Sequence, residues 1–170
     1  MNFQPISPSS LTLKKWITTL IVLGSLVCLF GSTPASALAH KTPDSVRTRI
    51  NDYTNTHYAG WRIKRISPDP MCDGTPALEV VLSRHKHEPL ALIFTPQGMF
   101  VQLEEDIPFP SAPSVVQTAA TSKYHNYHIA RTVERITLAS GSIQYLFDLS
   151  KGKQTKEATF AQDGSMVCEH

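Results

Sequence analysis

The sequence predicts an α+β fold of two tandem repeats, each one N-terminal helix packed on a four-stranded antiparallel meander sheet. Three observations predict it. Phe94-Thr95-Pro96-Gln97-Gly98-Met99-Phe100-Val101 and Phe160-Ala161-Gln162-Asp163-Gly164-Ser165-Met166-Val167 share one shape: an apolar strand end, a turn closed by glycine and a second apolar strand. Their phenylalanine, glycine and valine keep one offset, since 160−94, 164−98 and 167−101 all equal 66. At that offset Tyr58-Ala59-Gly60-Trp61-Arg62-Ile63 meets Tyr124-His125-Asn126-Tyr127-His128-Ile129, which brings tyrosine, a second aromatic and isoleucine into step.

The first segment reads as a processing signal. Lys14 and Lys15 precede an uncharged run from Trp16 to Gly31, and Ala37-Leu38-Ala39 supplies the small residues of a cleavage site. The run is about 15 residues long, short of the roughly 20 that span a bilayer. Residues 1–39 are therefore expected to be removed and the protein to be periplasmic or secreted. Cys28 follows Val27, where a lipoprotein site calls for a smaller residue. The chain carries 16 Lys+Arg against 14 Asp+Glu, and loss of both signal lysines leaves 14 against 14. A neutral mature chain has no electrostatic footprint for nucleic acid and no polybasic attraction to anionic lipid.

Residues 44–106 form the first expected repeat. Pro43-Asp44-Ser45 opens a helix over about 44–57, with Val46, Ile50, Tyr53 and His57 on one face. After Gly60 the period becomes strand-like; Ser67 to Pro76 is dense in turn formers; strands follow over 77–83 and 90–94, and beyond Gly98. Ile107 to Pro113, with three prolines, is the expected junction. Residues 114–170 form the second repeat, with a helix to about Lys123 and strands near 127–135, 142–149, 155–160 and 165–169. Cys72 and Cys168 are the two cysteines outside the signal, one in each repeat. They are either buried thiols or a bridge, and an oxidising compartment favours the bridge.

A signal peptide, helices opening near proline, the Tyr-x-x-aromatic step of Tyr58/Trp61 and Tyr124/Tyr127, and the Phe-x-x-x-Gly-x-x-Val endings together resemble the PepSY-like family, also called beta-lactamase-inhibitor-like. The resemblance covers about residues 44–169. It implies an exported α+β protein whose helices cover one sheet face, with a binding or inhibitory role toward another protein. The long 67–76 loop and the cysteine pair depart from the family pattern, and no inhibitory contact carries over by motif.

His85-Lys86-His87 puts two imidazoles on one side of an extended chain, where they could share a metal; His125 and His128 flank Tyr127. Neither pair carries a further ligand at a readable spacing, so solvated turn histidines compete with a periplasmic metal-binding reading that uses His85 and His87. There is no nucleophile elbow or phosphate loop. Glu104-Glu105-Asp106 reads as a solvated acidic run rather than an acid/base pair. The chain is accordingly expected to be non-enzymatic and to need no cofactor.

The remaining signal is a surface. If Leu78, Val80, Leu82, Leu90, Leu92, Phe94, Met99, Val101 and Leu103 face the helix, alternation turns Glu79, Val81, Ala91, Ile93, Phe100 and Gln102 outward. That outward set is too apolar for a plain wet face. It is covered by the other repeat, by a second copy in a dimer, or by a partner; as an assembly subunit the chain would use it structurally. The leading expectation is a binding or inhibitory module that meets an envelope or extracellular protein or peptide through Trp61, Glu79, Val81, Ile93, Phe100 and Gln102.

Overall fold

Pro43 sets the entry to helix α1 (Asp44–His57), and its carbonyl accepts hydrogen bonds from the Val46 and Arg47 amides at 3.0 Å each. Val46, Ile50 and Thr54, spaced by four, form the buried stripe of that helix. Helix α2 (Ser114–Lys123) repeats the arrangement behind Pro113 and buries Val116 and Ala120. Both helices occupy the spans expected from sequence. The computed structural model describes residues 42–170, so the leader expected over 1–39, with Lys14, Lys15 and Cys28, lies outside the described residues.

The strands are β1 (Arg62–Pro68), β2 (Leu78–Ser83), β3 (Leu90–Phe94), β4 (Phe100–Pro108), β5 (His128–Ile129), β6 (Thr132–Leu138), β7 (Ile143–Lys151), β8 (Gln154–Ala161) and β9 (Met166–Glu169). They form one antiparallel sheet in the order β1-β2-β3-β4-β6-β7-β8-β9, with β5 paired to the far end of β7. This corrects the expected architecture. The described residues are mostly β, a single nine-stranded sheet with two α-helices, and not two tandem helix-plus-four-strand repeats.

The reason lies in the edge of β4. Seven residue pairs, from Gln102↔Leu138 to Pro108↔Thr132, join it to β6, because an unpaired strand edge is a row of hydrogen-bonding groups that finds a partner. The proline segment read as a junction does not separate two sheets: Ile107 and Pro108 end β4, and Phe109–Ser111 is a single 3-10 turn before α2. The second half also holds five strands, since Ala130 and Arg131 interrupt what the alternation predicts as one strand over 127–135.

Both helices lie on the same side of the sheet, each over its own core. Val46 and Ile50 pack with Val80, Leu82, Leu92 and Phe94, whereas Val116 and Ala120 pack with Val133, Phe147, Leu149 and Phe160. Between the two cores Arg135 meets Glu105 at 2.5 Å, which holds the guanidinium above its ordinary range.

Each helix also rests on a glycine turn. Gly98 (φ +83°) and Gly164 (φ +85°) donate back to Thr95 and Ala161, and a Cβ at Gly98 would lie 3.3 Å from the Val46 carbonyl oxygen, at Gly164 3.1 Å from that of Val115. Only a residue without Cβ satisfies both the left-handed backbone and the close approach.

The expected disulfide is present. Cys72, in the β1–β2 loop, is bonded to Cys168 on β9 with Cα atoms 6.1 Å apart. These elements belong to opposite edges of the sheet. Laid flat, the eight strands of the pairing path would span about 33 Å at the usual strand spacing. The four-residue reach from Pro68 to Cys72 is at most about 14 Å, so with the 6.1 Å link Cys168 lies within about 20 Å of the end of β1. The sheet is strongly curved. Cys168 pairs with Thr159, whose neighbours Ala158 and Phe160 point into the α2 core, so the bridge crosses the side opposite both described helices, and that side is concave.

On the helix side Glu169 secures β9 by accepting hydrogen bonds from the Tyr124 hydroxyl and the Lys156 ammonium. Lys156 and Tyr124 hold the Glu169 carboxyl below its usual range, while burial and then Glu169 push the Tyr124 phenol well above its own.

Three outcomes follow in solution. Gly164→Ala should lose about 2–3 kcal/mol in denaturant unfolding, whereas Gly141→Ala, with φ +85° and open space around it, should lose about 1 kcal/mol; equal losses would contradict the packing argument. Cys72→Ser should lower stability by about 4 kcal/mol, because the bridge closes a loop with a separation of 96 residues, and added reductant should then change nothing further. A depressed carboxyl contributes stability above the ordinary carboxylate pKa and loses it as pH falls through the folded value. Glu169→Gln should therefore flatten the unfolding profile below about pH 4.5 and leave its slope between about pH 6 and pH 8 unchanged.

Candidate functional site

The sheet face opposite the two described helices is assembled by register. One row across the strands runs Ser67–Glu79–Ile93–Gln102–Leu138, a second Ala91–Glu104–Ile136–Gln144–Ala161, and a third Asp106–Glu134–Leu146–Thr159–Cys168. Asp148 and Glu157 pair one step further along. Ile93, Gln102, Ile136, Leu146 and Thr159 are buried, whereas Asp106 and Asp148 are exposed and Val81, Glu104, Glu134 and Leu138 half-buried.

Its charge is mixed, with Arg65 in register with Val81 and His170 3.2 Å from Glu157. Glu79, Glu104, Asp106, Glu134, Asp148 and Glu157 all belong to this face. Arg65, at the β1 edge, contacts Glu79 at 2.6 Å, and Gln102 Nε2 donates to Glu104 Oε1 at 2.8 Å. Thr159 Oγ1 is buried without a hydrogen-bond partner.

Four of the six expected face residues come together here. Glu79, Ile93 and Gln102 are consecutive in one row, and Val81 stands opposite Ala91 beside them. The other two do not. Phe100 lies on the helix side, stacked on Tyr53 with centroids 4.7 Å apart and edge-on to Phe94. The β3–β4 register shifts between Ile93↔Gln102 and Phe94↔Phe100, so Val101 is an extra residue and alternation reverses there. The same bulge leaves Met99, expected inside, 60 % exposed. Trp61 is also packed against the α1 core, with its ring 5.7 Å from that of His87.

The histidine turn gathers no ligand set. Lys86 between the two histidines has φ 61°, His87 rests on Trp61, and no group of three potential ligand side chains converges among the described residues. The acidic run divides by strand alternation: Glu104 and Asp106 face the concave side, and Glu105 faces the helices and Arg135.

Sequence reasoning missed two features. Glu134, Asp148 and Glu157 join Glu104 and Asp106 only through the β4–β6, β6–β7 and β7–β8 ladders; alternation within β6, β7 and β8 could have assigned their face, but nothing local reveals that the two halves share one sheet. A cavity of about 630 Å³ opens beside the 3-10 turn, lined by Pro108, Phe109, Tyr124, Tyr127, Ile129 and Arg131 among others. It has no sequence signature beyond its clustered aromatics.

No protein-family model matches the chain, and no curated protein matches it in sequence. Solved structures do match in fold. A candidate periplasmic protein of Bacteroides eggerthii shares 13% identity over 76% of this chain and 88% of its own, with a TM-score of 0.52. A BLIP-like protein of Bacteroides fragilis shares 16% identity over 72% and 84%, at 0.51. A DUF2874 family protein of Bacteroides uniformis shares 10% identity over 75% and 88%, also at 0.51. At such identities the likeness is one of fold, and it extends over most of each of those chains.

Proposed function

We propose that the chain is an exported, non-enzymatic binding or inhibitory module that recognises an envelope or extracellular protein or peptide through the concave face of its sheet. The observation that carries this reading is the concave face itself. Both described helices pack on the other side, and a disulfide joining the two sheet edges fixes the curvature. A rigid concave sheet with polar and apolar side chains interleaved within each row is suited to holding an extended segment or a protruding loop of a partner.

Export is supported by the sequence signal and by the disulfide, which suits an oxidising compartment. The similar fold of the candidate periplasmic protein agrees with it, and no described helix is long and apolar enough to cross a membrane. Kinship with the PepSY-like, beta-lactamase-inhibitor-like proteins is part of the proposal. It is supported by the fold of the BLIP-like neighbour and applies to the chain as one sheet.

Site-specific photocrosslinking in the exporting cell tests the reading. A crosslinking residue at Leu138, on the concave face, should give a discrete polypeptide adduct, and the same residue at the exposed helix position Val115 should not. Adducts from Val115 alone, or equally from both positions, would overturn it.

A further inference from the structure

We infer that the cavity beside the 3-10 turn is a binding site for a small carboxylate with a flat apolar body, whose carboxylate is met by Arg131. The cavity lies on the α2 side of the sheet, where Phe109, Tyr127 and Ile129 pack against the core, and its volume of about 630 Å³ is that of a small-molecule site. Its walls are aromatic and firmly held. Phe109 packs edge-on against Phe147 at 5.9 Å, and Tyr124 edge-on against Phe160 at 6.3 Å and Tyr127 at 5.9 Å. Gln117 ties α2 to the 3-10 turn by donating to the Ala112 carbonyl at 2.7 Å. Rings fixed in this way offer flat apolar surface to a ligand and need little ordering when it binds.

Backbone pairing places the charged group. The Phe109 amide donates to the Arg131 carbonyl at 2.8 Å, one step beyond Pro108↔Thr132, so the two residues stand across the opening from each other. The space arises where β5 pairs with β7 at Leu149 and Ser150 while β6 reaches only Leu146, and Ala130 and Arg131 carry the chain across that gap. No aspartate or glutamate lines the cavity. Glu169, which accepts from the Tyr124 hydroxyl, is held by Lys156. His125 directs its ring nitrogens to the Ser122 carbonyl and the Asn126 amide, which leaves Arg131 as the charged donor of the lining. Arg131 is exposed and joins no ion pair among the described residues. The repeat shows the difference. Arg65, at the offset of 66 (131−65), is paired with Glu79, but the residue at the same offset from Glu79 (145−79) is Tyr145. Lys151, 5.7 Å from the Tyr127 ring centroid, adds charge of the same sign. A guanidinium at the mouth of an apolar cavity takes an anion, and its planar fork matches a carboxylate.

The test uses protein recovered from expression of the full chain and titration calorimetry with naphthoate, its uncharged amide and acetate. Naphthoate should saturate below about 1 mM and bind at least tenfold tighter than the amide, and acetate should not bind. Arg131→Gln should weaken naphthoate at least tenfold and leave the amide within twofold of its parental affinity, a split that loss of fold would not produce. Arg131→Lys should keep part of the preference for the acid, whereas Tyr127→Leu should weaken acid and amide alike. Naphthoate should also shift amide resonances over residues 121–131 and leave those of β2 and β3 in place. Absence of saturable naphthoate binding, equal binding of acid and amide, or parental affinity in Arg131→Gln would overturn the inference. A peptide ending in tryptophan carries the same two groups on a chain terminus, and its binding more tightly than the free acid would overturn the assignment to a small molecule.

Discussion

The ladder between β4 and β6 is the interaction on which the rest of the structure depends. Each half of the chain has its own helix and core, and without the pairs from Gln102↔Leu138 to Pro108↔Thr132 each would end in an open edge. With that ladder in place the sheet is continuous and broad enough to curve. The Cys72–Cys168 bridge then ties the β1–β2 loop to β9 across the side opposite both described helices. Curvature, the position of the bridge and the gathering of carboxylates on one face all follow from those two long-range connections.

Ion pairs form on both sides of the sheet. On the helix side the ionic groups pair within the fold, Arg135 with Glu105 and Lys156 with Glu169, and they join elements that the cores alone leave separate. On the concave side Arg65 meets Glu79, and the carboxylates lie beside buried Ile93, Ile136 and Leu146. The formula that argues against nucleic acid and anionic lipid is compatible with a strongly polar recognition surface.

Local features were legible in the sequence and long-range ones were not. Both helix spans followed from Pro43 and Pro113 and from the spacing of Val46 with Ile50 and of Val116 with Ala120. The glycine turns at Gly98 and Gly164 were the strongest pattern in the chain, because a positive φ under a helix leaves no other residue type. The cysteine pair followed from compartment and count. Two tandem sheets were expected because similar local patterns say nothing about whether their edges meet. Phe100 and Trp61 were assigned outward because alternation was carried through Val101, where one extra residue reverses it, and because a tryptophan at a strand entry pairs as readily with its own core. Glu79, Val81, Ile93 and Gln102 survive as neighbours since no bulge separates β2 from β3. Glu134, Asp148 and Glu157 joined the site only once β4 and β6 were paired.

The most direct test of the account is amide hydrogen exchange on the intact protein. The account predicts that the amides joining β4 to β6, over Gln102–Pro108 and Thr132–Leu138, exchange as slowly as those of β3 and β7 inside the two cores, because both halves share one sheet. Fast exchange along that seam, as of two open strand edges, would contradict it.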